Sequence, residues 1–256
     1  MQPLVAPAPA LDPAELVRTA RHAVLAGIGE EGQRRLAASR VAVVGAGGVG
    51  SPVLLALAAA GIGTLVVIDD DVVELTNLQR QLAHRAEDVG TAKTVSAERA
   101  ITALSPGAVV IPQNVRLDAA NATELFAGAD VVVDTSDSFA TRRDVAAATE
   151  ELGIPLVWGA VQEWHAHATV FWSAPPAGHT PVVLADLFPP GTEGEPPSCA
   201  QVGVLGALCV QVGGILAGEV VKLVTGAGEP LLGRLALIDA LTVRQHEIAI
   251  RPAGTA

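Results

Sequence analysis

Three features of this 256-residue chain predict an α/β fold, a doubly wound and mostly parallel sheet finished by antiparallel strands at its C-terminal end. A strand of β-branched residues runs into glycines at 45, 47, 48 and 50, a spacing that permits a tight turn and close backbone approach to phosphate at a helix N-terminus. A second strand ends in carboxylates at Asp69, about twenty residues after the loop, where a βαβ unit grips ribose hydroxyls. Strand-like and helix-like segments alternate through the first two thirds, the texture of parallel βαβ units.

In chain order, the lead-in MQPLVAPAPALDPAEL lacks a basic region ahead of an apolar core, so it does not read as a signal peptide; residues 1–40 are expected to form a helical arm. Residues 41–45, 65–69, 109–112, 131–134 and 156–159 read as strands. Residues 48–60, 93–104, 122–127 and 141–152 have helical composition and supply the right-handed crossovers that such units use. Residues 167–172 alternate like a strand. Residues 173–198 are rich in Pro and Gly without periodicity, and a loop of that length inside one domain is expected to be mobile or functional. Residues 203–223 read as a buried helix, and 234–239 and 244–250 as antiparallel strands. The uncharged stretch between Glu195 and Glu219 reaches the ~20 residues a bilayer requires. Pro196, Pro197, Gln201, Gln211 and its glycines favour burial between a sheet and an interface instead, so no membrane association is expected.

Half of the residues are hydrophobic, enough for one Rossmann-like domain over residues 1–256. A net charge of −11, from 27 acidic against 16 basic residues, excludes a nucleic-acid surface, which needs clustered Lys and Arg. Two cysteines, Cys199 and Cys209, make no disulfide framework and fit a reducing cytoplasm.

The chemistry concentrates between residues 41 and 137. Asp69 is placed for ribose, Arg80 and Lys93 supply positive charge to a polyphosphate, and Asp137, following a strand in VVVDTSD, suits Mg²⁺ at the same sheet edge. Singly, such charges are more often a solvated turn, with Arg80 paired to Asp70, Asp71 or Glu74. Together they form a set suited to attack on an α-phosphate. Hydride transfer from a nicotinamide releases no polyphosphate and has little use for them, so an NAD-dependent oxidoreductase resting on the glycine loop is the weaker alternative.

The runs GAGGVGSP, AAAGIGTLVVIDDDVVELTNLQRQ, DVGTAK, DVVVDTSDSFATR, GIPLVWGA and GVLGALCVQVGGILAGEVVKLVTGAGEPLLGRLALIDAL resemble the ThiF/MoeB/HesA adenylyltransferases, relatives of the ubiquitin-activating enzymes. The likeness runs in order from about Arg18 to Arg251. It implies ATP- and Mg²⁺-dependent adenylation of the C-terminal glycine of a ubiquitin-like sulfur carrier protein ending in Gly-Gly, of the molybdopterin-synthase or thiamine type, by a homodimer. By that resemblance Gly45, Gly47 and Gly48 belong to the phosphate loop and Asp69 is the ribose ligand. Thr76, Asn77, Leu78, Gln79 and Arg80 follow the phosphates, Lys93 is the phosphate lysine and Asp137 the magnesium aspartate. Ser138 falls at a nucleotide-contact position where the family usually has Asn. Arg21 resembles an arginine that reaches the γ-phosphate bound in the other subunit.

The departures from the family pattern are specific. Many members carry two CxxC pairs for a structural zinc; here the corresponding places read TPVVLADLFPP and RPAGTA, and two cysteines cannot supply a Cys₄ site, so none is expected. His165 and His167, two apart on a strand, face the same way but are too few for a metal centre. Ala146 replaces a further common Asn. Cys199, just ahead of a helix, stands where some members have a cysteine that links covalently to the carrier; its ordinary alternative is a small buried hydrophobe, the role assigned to Cys209. The stretch EWHAHATVFW replaces a more standard strand entry and, with the missing cysteines, keeps open the same adenylation on a divergent substrate, a peptide C-terminus or a tRNA.

Overall fold

A computed structural model describes residues 1–189, 191–192 and 202–252; Cys199 lies outside them. Eight strands form one sheet in the order β3-β2-β1-β4-β5-β6-β7-β8. The strands β1 (Arg40–Val44), β2 (Thr64–Ile68), β3 (Val109–Gln113), β4 (Val131–Asp134) and β5 (Leu156–Gln162) are mutually parallel. After them, β6 (His165–Phe171), β7 (Arg234–Asp239) and β8 (Arg244–Ala249) add antiparallel. The central strands RVAVV, TLVVI and VVVD are buried almost throughout, and their unbroken β-branched runs are what a parallel sheet covered on both faces requires.

The arm holds three helices, α1 (Pro13–Arg18), α2 (Ala20–Ala23) and α3 (Gly29–Ala38). The crossovers are α4 (Gly50–Ala60), α5 (Lys93–Leu104), α6 (Ala122–Leu125) and α7 (Phe139–Leu152); α8 (Leu184–Leu187) and α9 (Gly206–Thr225) follow β6. Alternate residues of each strand feed two cores. Val41, Val43, Leu65 and Val67 pack with α4, α5 and α9 on one face, whereas Ala42, Val44, Val66 and Ile68 pack with Phe126, Val145 and Trp158 on the other.

Helix α9 is long and apolar enough to cross a membrane by length and composition, but 56% of its apolar window is buried in the fold. Leu208, Val212, Leu216, Val220 and Leu223 point inward, and Leu216 packs where Gly159 of β5 has no side chain. The core-helix reading of this segment therefore holds.

Two expectations need correction. The sixth strand starts two residues before 167, because β5 runs on to Gln162 and the pair closes in a two-residue turn, Glu163–Trp164; Glu163 takes a left-handed conformation at φ 53° with no glycine to announce it. The stretch after Trp172 is not structureless in its described part. Trp172 bridges Val182, and Val182 and Leu184 of the α8 region are buried in the second core, isolated apolar anchors that carry no periodic signal.

Candidate active site

Strand order reverses between β1 and β4, and in open α/β sheets this switch point opens a crevice at the carboxyl ends of the strands. Here the crevice is a cavity of about 300 Å³ lined by Gly45, Gly47, Gly48, Asp69, Asn77, Arg80, Lys93 and Asp137, with Asp71, Gln81, Ser136, Arg142 and Val204.

The glycine loop is folded too tightly to admit side chains. Gly45 lies at φ 91°, and a Cβ on Gly50 would fall 1.9 Å from the Gly45 carbonyl oxygen. Helix α9 supports the loop from below: a Cβ on Gly48 would lie 3.1 Å from Cys209 Sγ, which gives Cys209 the packing role expected of it. The loop's tip is tied to β2, since Asp69 Oδ2 accepts from the Ala46 N–H at 2.8 Å while Oδ1 accepts from Asp71 N–H at 2.9 Å. Burial raises the Asp69 pKa, opposed by Lys93 and by these two bonds.

Beyond β2 the chain makes a 3-10 turn at Leu75–Asn77, closed by the Asn77 side chain accepting from the Glu74 N–H at 3.1 Å. This turn folds Asn77 inward and sends Arg80 to the cavity, where its Nη1 donates to the Thr76 carbonyl at 3.2 Å. Lys93 opens α5 with its side chain 8% exposed, and its Nζ lies 2.7 Å from Asp71 Oδ2. Asp137, exposed on the β4–α7 connection, faces the cavity. Asp69, Asp70 and Asp71 bring carboxylate oxygens within 4.8 Å of one another. Asp69 and Asp71 are already engaged by backbone and Lys93, and Glu74 and Asp137 are the further carboxylates at the cavity.

Several residues of the expected set are not brought to the cavity. Thr76, Leu78 and Gln79 lie outside its lining. Ser138 is the N-cap of α7, accepting from the Thr141 N–H at 3.1 Å and donating to the Thr141 hydroxyl at 2.8 Å. Arg21, on α2, is exposed and lines no part of this cavity. His165 and His167 share one face of β6; burial, then Arg142 and His165, lower the His167 pKa.

Other residues join the site without a motif to mark them. Arg142 is buried on α7, donates to the Ser136 carbonyl at 2.9 Å, and sits 5.1 and 5.5 Å from the Phe139 and Trp158 ring centroids. It opposes, by charge, the upward push that burial gives the Asp134 pKa. The one hint in the sequence is helical spacing, which puts Arg142 on the inward face with Val145, Ala146 and Thr149. Gln81 and His84 are buried beside the glycine loop, a setting that short-range pattern does not reveal.

The model of the ThiF family matches residues 19–255. A "Probable adenylyltransferase/sulfurtransferase MoeZ" of Mycobacterium tuberculosis is 45% identical over 252 residues, covering 98% of this chain and 64% of that protein; the chain thus spans under two thirds of that relative. A "Sulfur carrier protein adenylyltransferase" of Thermus thermophilus is 42% identical over 238 residues, covering 93% of this chain and 88% of that one. Among solved structures, PaaA superposes with a TM-score of 0.76 at 24% identity, covering 95% of this chain and 76% of that one, a likeness of fold.

Proposed function

The chain belongs to the ThiF family, and we propose that it uses ATP and Mg²⁺ to adenylate the C-terminal glycine carboxylate of a ubiquitin-like sulfur carrier protein ending in Gly-Gly, acting as a cytoplasmic homodimer. The observation that carries this reading is the convergence of the glycine loop, Asp69, Arg80, Lys93 and Asp137 on one cavity.

The glycine loop and the N-terminus of α4 receive the phosphates, and Asp69, through its remaining lone pairs, accepts from the ribose hydroxyls. The carrier's terminal carboxylate attacks the α-phosphorus. A new C–O–P link forms, the bond to pyrophosphate breaks, and the leaving group takes the electron pair. No proton moves in this step because the attacking carboxylate is already an anion. Arg80 and Lys93 therefore act by orientation and by neutralising the charge that grows on pyrophosphate, with no side chain needed as general base. The residues present fit a magnesium ion: Asp137 offers a hard oxygen ligand at the cavity wall, and adjoining Ser136 has a buried hydroxyl with no hydrogen-bond partner. Bound there, Mg²⁺ supplies charge neutralisation of the phosphates.

The test is pyrophosphate exchange into ATP with a panel of carriers ending in Gly-Gly. Exchange that depends on one carrier and drops by a factor of about 10² or more in Asp137→Ala and Arg80→Ala is expected. A protein that binds ATP but exchanges with no carrier would point to another carboxylate, such as a peptide C-terminus. Binding of NAD in place of ATP would overturn the reading altogether.

A further inference from the structure

His84 is 6% exposed, lies beneath the glycine loop and has no part in the chemistry described above. Its two ring nitrogens are both engaged. Nε2 lies 2.9 Å from the Ala46 carbonyl oxygen, and Nδ1 lies 2.9 Å from Ser96 Oγ. Ser96 Oγ lies 2.7 Å from Asp88 Oδ2, and that carboxylate oxygen accepts from the Arg85 N–H at 2.9 Å. Arg99 stands 2.5 Å from the other oxygen of Asp88.

Proton placement follows from these contacts. A carbonyl oxygen only accepts, so the Ala46 contact requires hydrogen on Nε2. Ser96 has a single hydrogen for its two neighbours: a neutral ring takes it at Nδ1, whereas a protonated ring donates Nδ1–H to Ser96 Oγ and leaves the hydroxyl to Asp88 Oδ2, and in either arrangement Ser96 holds the far side of the ring. The peptide unit at Ala46 is consequently gripped at both ends, its neighbouring N–H by Asp69 and its carbonyl by His84, with Ser51 Oγ adding a longer contact to that carbonyl at 3.1 Å. The gripped residue stands between Gly45 and Gly47, both of which line the cavity, and Gly45 is itself anchored by its N–H donating to the Ile68 carbonyl at 2.9 Å.

We propose that His84 is a positioning residue for ATP: its Nε2–H bond to the Ala46 carbonyl fixes the tip of the glycine loop in the phosphate-receiving conformation, while Ser96 and Asp88 hold the imidazole in place. The inference rests on the assignment of the cavity as an ATP site. Without this bond the loop spends part of its time with its amides turned from the phosphates, and affinity for ATP falls with the population of the competent loop.

Two amide substitutions separate positioning from general support of the core. A glutamine carries its amide nitrogen about as far from the backbone as Nε2, whereas an asparagine amide stops near Nδ1. Titration of MgATP by calorimetry, without a carrier, is expected to show about tenfold weaker binding in His84→Asn, the scale of one buried hydrogen bond lost, with His84→Gln recovering most of the loss. In an exchange assay the Asn variant should raise KM for ATP by a similar factor and change kcat much less. Ser96→Ala, which leaves the Ala46 bond but frees the ring, should weaken binding by about threefold and provides the test should the Asn variant not fold. Asn and Gln variants equally impaired, or an Asn or Ala variant binding ATP as tightly as the wild type, would overturn the proposal. A wild-type protein that binds ATP yet adenylates no carrier would sink the proposed function alone; one that binds no ATP would sink both.

Discussion

Asp71 occupies the ammonium group that the proposed reaction needs free for phosphate. Lys93 is nearly buried while Asp71 is 66% exposed, so the pair resembles a latch with one end in water. Substituting Asp71→Asn keeps a hydrogen-bond acceptor for Lys93 and removes one negative charge beside the incoming phosphates. Such a charge is worth on the order of 1 kcal/mol at the edge of a protein, so MgATP should bind about fivefold more tightly. The cost to folding should stay under about 1 kcal/mol because Asp71 is so exposed. Weaker binding of ATP in that variant would show instead that the Asp71 carboxylate is itself a ligand. At this scale the sequence was informative where chemistry dictates residue type: Gly45, Gly47, Gly48, Asp69, Arg80, Lys93 and Asp137 all line the cavity. It was uninformative about direction. Nothing in the run from Thr76 to Arg80 tells which side chains the 3-10 turn sends outward, and Ser138 looks the same in sequence whether it meets nucleotide or caps a helix. Arg142 and His84 stayed hidden because their roles come from burial, which only the assembled sheet creates.

Helices α4 and α9 show how elements carry the site. The first begins at the glycine loop, and the second crosses beneath it with Gly213 against Pro52, where an added Cβ would lie 2.5 Å from the ring. A proline ring cannot swing away as a flexible side chain does. Gly213→Ala should therefore cost about 1–3 kcal/mol of stability, the usual penalty of overpacking, read as a lower midpoint in denaturant at unchanged slope. A loss below about 0.5 kcal/mol would mean that α9 shifts freely on α4, and the loop would then lack a rigid floor. The strands were legible because parallel strands covered on both faces must be continuous β-branched runs, and α9 because no charge interrupts it before Glu219. The β5–β6 hairpin escaped notice since Glu163 adopts a backbone conformation that sequence associates with Gly or Asn.

Across the whole molecule, the cavity of one chain draws cations from Arg80, Lys93 and Arg142, while Arg21 stands exposed on the N-terminal arm away from the cavity lining. If Arg21 acts on ATP bound in a second copy, as the homodimer reading requires, then a working site is built from two chains, and defects in different parts of it can complement. In a mixture of Arg21→Ala and Asp137→Ala proteins, each inactive alone, every mixed dimer contains one site with Asp137 from the first chain and Arg21 from the second. Random pairing makes half of the dimers mixed with one intact site in each, so carrier-dependent exchange should recover to about a quarter of the wild-type rate after subunits are mixed and allowed to re-pair. Exchange that stays at the level of the separate variants, in samples shown by mass to contain mixed dimers, would place Arg21 outside the reaction or within its own chain's site. The distinction cannot be read from the linear sequence, because RHAVLAGIGEEGQ is as compatible with a surface helix as with an arm reaching into a neighbour. It depends on the symmetry of an assembly, which single-chain patterns of hydrophobicity and charge specify only loosely.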